Sequence, residues 1–242
     1  MKIPAACLVL LSLIWNAAFA QDPAAARGMP TSLDEQMDAL MVKVDGNWWS
    51  FEMMKYEVTN ALWAEVMGEA LAADHPCPDC PKTEVNRADI DGFVEALNAR
   101  LSQPVRLMGQ DEFSIAVAET NQVTRYGVRS ELKAGAWFKT NSRRKLHPVG
   151  QKEPNDAGIY DLMGNAGEWT RETIDSMRTI NADDPAGPPQ WIVYDPPMGS
   201  VSGGSVRDSW RVFEAARVSV HPLDTRDPFI GFRLVRNAKW GG

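Results

Sequence analysis

Three observations predict an α+β fold. Two stretches in the first half space their apolar residues as amphipathic helices do, and a hairpin signal precedes them. After Trp137 the chain breaks into short runs between turns and ends in the strand-like "GFRLVR" (231–236). Helices early with strands and loops late describe one α+β domain. Nine tryptophans, 18 glycines and 16 prolines point to a loop-rich fold held by aromatic anchors.

The elements follow in order. Lys2, the apolar run "IPAACLVLLSLIW" and Ala18-Phe19-Ala20 form a secretory signal peptide over residues 1–20, with cleavage expected before Gln21. The run is too short and wrongly flanked for a membrane span, so no membrane insertion is expected. Roughly 220 residues remain, enough for a single domain with a sizeable core. Residues 21–40 read as a leader segment, mobile over 21–32 and with a short helix conceivable from Asp34 to Val42; the domain itself is placed at 41–237. In "MVKVDGNWWSFEM", Asp45-Gly46 separates two strand-like runs as a hairpin turn does. In "TNALWAEVMGEAL", Thr59 or Asn60 caps a helix whose buried face is Leu62, Trp63, Val66 and Met67. In "NRADIDGFVEALNARL", Asn86 caps a second, with Ile90, Phe93, Val94, Leu97 and Leu101 as its stripe. Residues 111–120 predict a third helix. No internal repeat or low-complexity segment is present.

Charge and cysteine content exclude several functions. The formal net charge of −7 becomes −8 when Lys2 leaves with the leader, and the longest basic cluster is "RRK" (143–145). That balance argues against nucleic acid and anionic membrane surfaces as partners. Cys7 leaves with the leader, so Cys77 and Cys80 are the mature thiols. A C-x-x-C is redox-active when it opens a helix, but prolines at 76, 78 and 81 prevent one from starting here. Zinc needs four ligands, and beyond His75 no fourth is evident. In an oxidising compartment a local Cys77–Cys80 disulfide is the expected state.

Chemistry concentrates in "YDLMGNAGEWT" (160–170), where Asp161 and Glu168 flank a Gly-Asn-Ala-Gly core. A tight turn feeding a strand would leave both acids solvated. A small oxygen cage would instead use them, with backbone carbonyls, to hold a hard cation such as calcium. The spacing by itself does not decide. Serines, aspartates, His147 and His221 also lie on loops, yet no nucleophile elbow supports a hydrolytic triad.

Taken together, "KYEVTNALWAEVMG", "NRADIDGFVEALNARL", "AWFKTNSRRKLHPVGQKEPNDAGIYDLMGNAGEWT", "SGGSVRD" and "IGFRLVR" resemble the formylglycine-generating enzyme family, the sulfatase-modifying-factor domains, over about residues 41–237. The resemblance implies a compact fold related to C-type lectins and poor in regular secondary structure. It also favours the cage: in the family the side chains at Asp161 and Glu168 and the carbonyls at Gly164 and Ala166 bind calcium.

Departures from the family pattern matter equally. Members that oxidise a sulfatase cysteine use two cysteines shortly before the terminal Gly-Phe-Arg strand, whereas this chain has none after Cys80. The thiolate pair for copper and for a mixed disulfide is therefore missing, and no copper is expected. The histidine-rich iron site of the ergothioneine branch is likewise missing. Gly167 stands where the family usually has an aromatic residue beside Glu168, and "LMGQDEF" replaces the usual Leu-Pro-Thr-Glu motif. These changes imply a pseudoenzyme.

Small secreted members without the cysteines include the TagR-type accessory proteins of type VI secretion, which act upstream of a transmembrane Ser/Thr kinase. Similarity to that group implies a periplasmic binding or regulatory protein. Its expected partner is an envelope protein, such as the periplasmic region of a kinase or its regulator. The alternative is an enzyme of other chemistry using the family cleft. Carried over from that cleft, the partner or ligand surface comprises Arg207, Trp210, Arg217, Arg226 and Asp227.

Overall fold

The computed structural model describes residues 32–46, 49–71, 77–118, 129–179, 190–209 and 218–237, so the signal peptide lies outside the described residues. Helix α1 (Leu33–Leu40) starts at a Ser32/Glu35 capping box and sends Met37, 1% exposed, into the core. Residues 33–40 thus pack against the domain ahead of Met41.

Strands β1 (Met41–Asp45) and β2 (Ser50–Met54) form the expected hairpin, with Asp45 opposite Ser50. Asp45 is the last strand residue rather than a turn residue, and the Gly46 N–H donates to the Trp49 carbonyl (3.0 Å) across the loop. Helix α2 (Asn60–Met67) is capped by the Thr59 hydroxyl, which accepts from the Leu62 N–H, and stops at Gly68 in the left-handed conformation. Leu62, Trp63 and Val66 are buried as expected, but Met67 faces solvent at the last turn.

Helix α3 (Arg87–Asn98) has an Asn86/Asp89 capping box and buries Ile90, Phe93 and Leu97 completely. Leu101 falls past its end and is only partly buried. Strand β3 (Arg106–Leu107) and helix α4 (Gln110–Ala118) follow, then helix α5 (Arg129–Gly135), which the apolar pattern did not predict. No helix among the described residues is long and apolar enough to cross a membrane.

The late half differs from the expectation of short runs. β4 (Gly167–Thr179) and β5 (Gln190–Ser202) are 13 residues each and form a long antiparallel ribbon with register shifts. Cross-strand pairing sustains this length where alternation along either strand is broken by Pro196, Pro197 and charged residues. β6 (Ser219–Pro222), β7 (Ile230–Phe232) and β8 (Leu234–Asn237) complete the fold. The described residues form two four-stranded sheets, ordered β1-β2-β8-β3 and β6-β5-β4-β7, antiparallel except where β7 runs parallel to β4.

"GFRLVR" is thus not one strand. It changes sheets at Arg233, with β7 in one sheet and β8 in the other. Two apolar clusters flank this junction. One joins α1, α2 and α3 to Phe232, where Trp63 and Phe93 stack at 5.0 Å and Phe232 meets Phe93 edge-on at 5.4 Å. The other packs Phe51, Met53, Phe113 and Phe138 around Val235.

The Cys77–Cys80 disulfide is formed. Asn60 clamps its loop: the side-chain amide donates to the Cys77 and Cys80 carbonyls (3.0 and 3.2 Å), and the backbone N–H donates to Cys80 as well (3.0 Å).

Candidate functional site

Residues 160–170 do form a turn that feeds a strand, because β4 begins at Gly167. The acids, however, are not solvated: Asp161 is 2% exposed and Glu168 0%. The turn holds three residues at positive φ, namely Asp161 (52°), Gly164 (90°) and Asn165 (55°). Asp and Asn tolerate that region through local side-chain hydrogen bonds. At Gly164 tertiary packing also requires glycine, since a Cβ would lie 2.2 Å from the Trp137 carbonyl oxygen.

Arg233, wholly buried, lies behind the turn. Its Nε donates to both Glu168 oxygens (3.1 Å each), and Nη2 donates to Glu168 Oε1 (2.8 Å) and the Tyr160 carbonyl (2.9 Å). Nη1 donates to the carbonyls of Met54 (3.0 Å) and Lys55 (2.9 Å). One guanidinium thus ties the end of β2, the start of the turn, β4 and the β7–β8 switch.

Glu168 matches the charge of Arg233. Two further carboxylates are buried in the same region. Asp161 Oδ2 accepts from the Gly150 N–H (2.7 Å), while its Oδ1 has no hydrogen-bond partner. Glu57, 0% exposed, was not singled out in the sequence, where nothing local separates it from the partly exposed acids Glu52 and Glu65. Its Oε1 accepts from the Ala166 N–H and its Oε2 from the Asn165 side-chain amide, both at 2.9 Å.

Burial, then repulsion from Asp161 and Glu168, pushes Glu57 well above the ordinary glutamate value. Burial pushes Asp161 up to about 6, although the Gly150 N–H and Arg233 pull the other way. Glu168 is also raised by burial, against the pull of Arg233.

This donor set fits a hard divalent cation. Only oxygens are offered, two buried carboxylates lack a cationic hydrogen-bond partner among the described residues, and Asp161 Oδ1 is orphaned. No three His, Cys, Asp or Glu side chains among the described residues converge tightly enough to hold a metal alone. A cation here needs backbone carbonyls as well, and Gly164 and Ala166 lie on the same turn.

The C-terminal cleft adjoins this cluster at Gly167. A cavity of about 290 Å³ opens above β4, β5, β6 and β7, walled by Arg207, Ser219, His221, Asp227 and Phe229. Gly167 lies on its floor, and a Cβ there would approach Val201 Cγ1 to 3.0 Å. A larger side chain at this position would therefore crowd Val201.

Arg207 stacks on Phe229 (4.7 Å to the ring) and approaches Asp227 (3.7 Å), leaving more than half of its side chain exposed. Ser219 and His221, two apart on β6, bring Oγ and Nε2 to 3.0 Å. Burial lowers the His221 pKa despite Asp227 nearby. Of the expected cleft residues, Arg207 and Asp227 line the cavity. Arg226 does not: it pairs with Asp89 and donates to the Glu84 carbonyl (3.3 Å). Trp210 and Arg217 lie outside the described residues.

Comparisons with known proteins agree with this architecture. The chain's fold is similar to that of Treponema denticola variable protein 1, with a TM-score of 0.60 at 20% identity over 81% of this chain and 91% of that one. It is also similar to CarF (TM-score 0.58, 19% identity, 82% and 98% covered). A third likeness is PvdO from Pseudomonas aeruginosa (TM-score 0.54, 18% identity, 78% and 81% covered). None of the curated proteins compared matches the sequence significantly. The family model for the sulfatase-modifying factor enzyme 1-like domain matches residues 31–238, and the chain belongs to that family.

Proposed function

We propose that this chain is a non-catalytic, calcium-braced periplasmic binding protein that uses its C-terminal cleft to engage an envelope protein. The observation that supports this reading best is the composition of the cleft. Its walls carry Arg207, Ser219, His221 and Asp227, while no cysteine follows Cys80 and the two mature cysteines are bonded to each other. The thiol chemistry of the sulfatase-modifying members has no group to perform it. An exposed arginine on an aromatic ring suits a bound side chain or peptide segment. The leader and the similarity to secretion accessory proteins favour the periplasmic region of a Ser/Thr kinase, or its regulator, as partner. Calcium at Asp161, Gly164, Ala166 and Glu168 braces the scaffold without taking part in chemistry.

The test is affinity capture from the envelope fraction with wild type and with Arg207→Glu, both shown to be folded by circular dichroism. Wild type is expected to retain a kinase-pathway protein that the variant loses. Equal capture by both would place the working surface elsewhere. Oxidation of a sulfatase-motif peptide by wild type would refute the non-catalytic reading.

One observation favours the alternative of an enzyme with different chemistry, namely the Ser219–His221 pair on the cavity wall. Its aspartate neighbours are engaged elsewhere: Asp208 accepts from Ser205 (2.8 Å), and Asp227 from the Phe229 N–H (2.8 Å). Labelling by a fluorophosphonate that disappears in Ser219→Ala would support that alternative.

A further inference from the structure

The Gly164–Ala166 turn is held through its backbone N–H groups. Gly164 donates to the Gly203 carbonyl, Asn165 to the Trp137 carbonyl and Gly167 to the Phe229 carbonyl, at 2.9, 2.9 and 2.8 Å. In a trans peptide the carbonyl points opposite to the N–H. Trp137 therefore directs the Gly164 carbonyl, and Phe229 directs the Ala166 carbonyl. The peptide between them, joining Asn165 to Ala166, is clamped from both sides. Its carbonyl accepts from the Val206 N–H (3.0 Å), and its N–H donates to Glu57 Oε1 (2.9 Å).

Glu57 is the one charged group in this set. Its second oxygen accepts from the Asn165 amide (2.9 Å), whose Oδ1 in turn accepts from the His147 N–H (3.0 Å). The Glu57 side chain belongs to the connection between β2 and α2, more than 100 residues away in sequence, and it is 0% exposed. Burying an ionisable carboxylate to make hydrogen bonds to neutral partners is costly unless its charge is used. Arg233 cannot use it fully, because all of its donors already serve Glu168 and three backbone carbonyls.

We infer that Glu57 is a positioning residue for the calcium site: it orients the Asn165–Ala166 peptide between the two carbonyl ligands and supplies part of the negative charge that offsets a divalent cation. The inference rests on the calcium reading and adds a residue outside the ligand set. Glutamine at this position provides one acceptor oxygen, turns an NH₂ toward the remaining donor and removes the charge. Aspartate keeps the charge but is one methylene too short to hold both partners.

The experiment measures calcium binding to the mature protein by isothermal titration calorimetry after chelation, with thermal unfolding in chelator and in excess calcium. Wild type, Glu57→Gln and Glu57→Asp are compared. Glu57→Gln is expected to weaken calcium affinity about tenfold or more and to shrink the calcium-induced rise in Tm, with Glu57→Asp intermediate. If Glu57→Gln does not fold, a weakened affinity in folded Glu57→Asp carries the same conclusion. Equal loss of Tm with and without calcium, at unchanged affinity, would show that Glu57 only supports the fold and would overturn the inference. Wild type that binds no calcium would overturn the calcium reading and, with it, this role.

Discussion

Arg233 shows how much one side chain carries in this fold. All its donors are used, and its partners come from three chain segments. Removing one member of a buried pair leaves an uncompensated charge. Arg233→Ala is expected to cost about 3–5 kcal/mol in urea unfolding, a loss that an exposed ion pair such as Lys43–Asp45 would not produce.

Asp161 makes a different prediction. Its folded-state pKa rises from 3.8 to about 6, so calcium-free protein is most stabilised below pH 4 and loses that contribution as pH climbs through about 6. In chelator, Tm should fall between pH 4 and pH 7, whereas excess calcium, by stabilising the ionised form, should flatten or reverse that slope. A chelated protein equally stable at both pH values would contradict the burial of Asp161 with one carboxylate oxygen unpaired. The sequence identified Asp161 and Glu168 because they sit together in one motif. It did not identify Glu57, which reaches the turn only through tertiary packing.

At the scale of elements, the helices were the most readable. Asn86 caps where the sequence placed it, Thr59 rather than Asn60 caps α2, and Phe93 centres the α3 stripe. Phe93→Ala should cost about 3–5 kcal/mol, because it empties the stack between Trp63 and Phe232. The disulfide closes so short a loop that its entropic contribution is about 2 kcal/mol at most. Reduction should accordingly lower Tm modestly while leaving far-UV circular dichroism intact, and alkylation of unreduced mature protein should find no free thiol.

Strands were less readable. β4 and β5 lack a sustained apolar alternation, and their length comes from pairing with each other. "GFRLVR" has the composition of one strand, but the hydrogen bonds of Arg233 to Met54, Lys55 and Tyr160 hold it where the chain passes from one sheet to the other.

For the whole molecule, the calcium reading makes a global prediction, because the turn contacts the β2–α2 connection, the loop before β6 and the sheet switch. A ligand that binds only the folded state stabilises it by mass action, by about 3 kcal/mol at 100-fold excess over Kd. For a domain of this size the rise in Tm is about 5–10 °C. Chelation should reverse it, and Glu168→Ala should abolish most of it. An unchanged Tm on chelation, with no metal copurifying, would leave the turn as a hydrogen-bonded joint and nothing more.

The sequence alone determined what is local or carried by motif: the Asn86 cap, the first hairpin, the bonded cysteine pair, the family and the lack of any cysteine after Cys80. Each of these depends on residues within a few positions of one another, on residue type alone, or, for the family, on the order of short motifs along the chain. Only the tertiary structure decided that the acids of the turn are buried, that Glu57 joins them and that Arg207 and Asp227 share a cavity while Arg226 pairs with Asp89. Those outcomes depend on contacts between segments distant in sequence, and burial, which sets the electrostatics of a carboxylate, is a property of the packed whole.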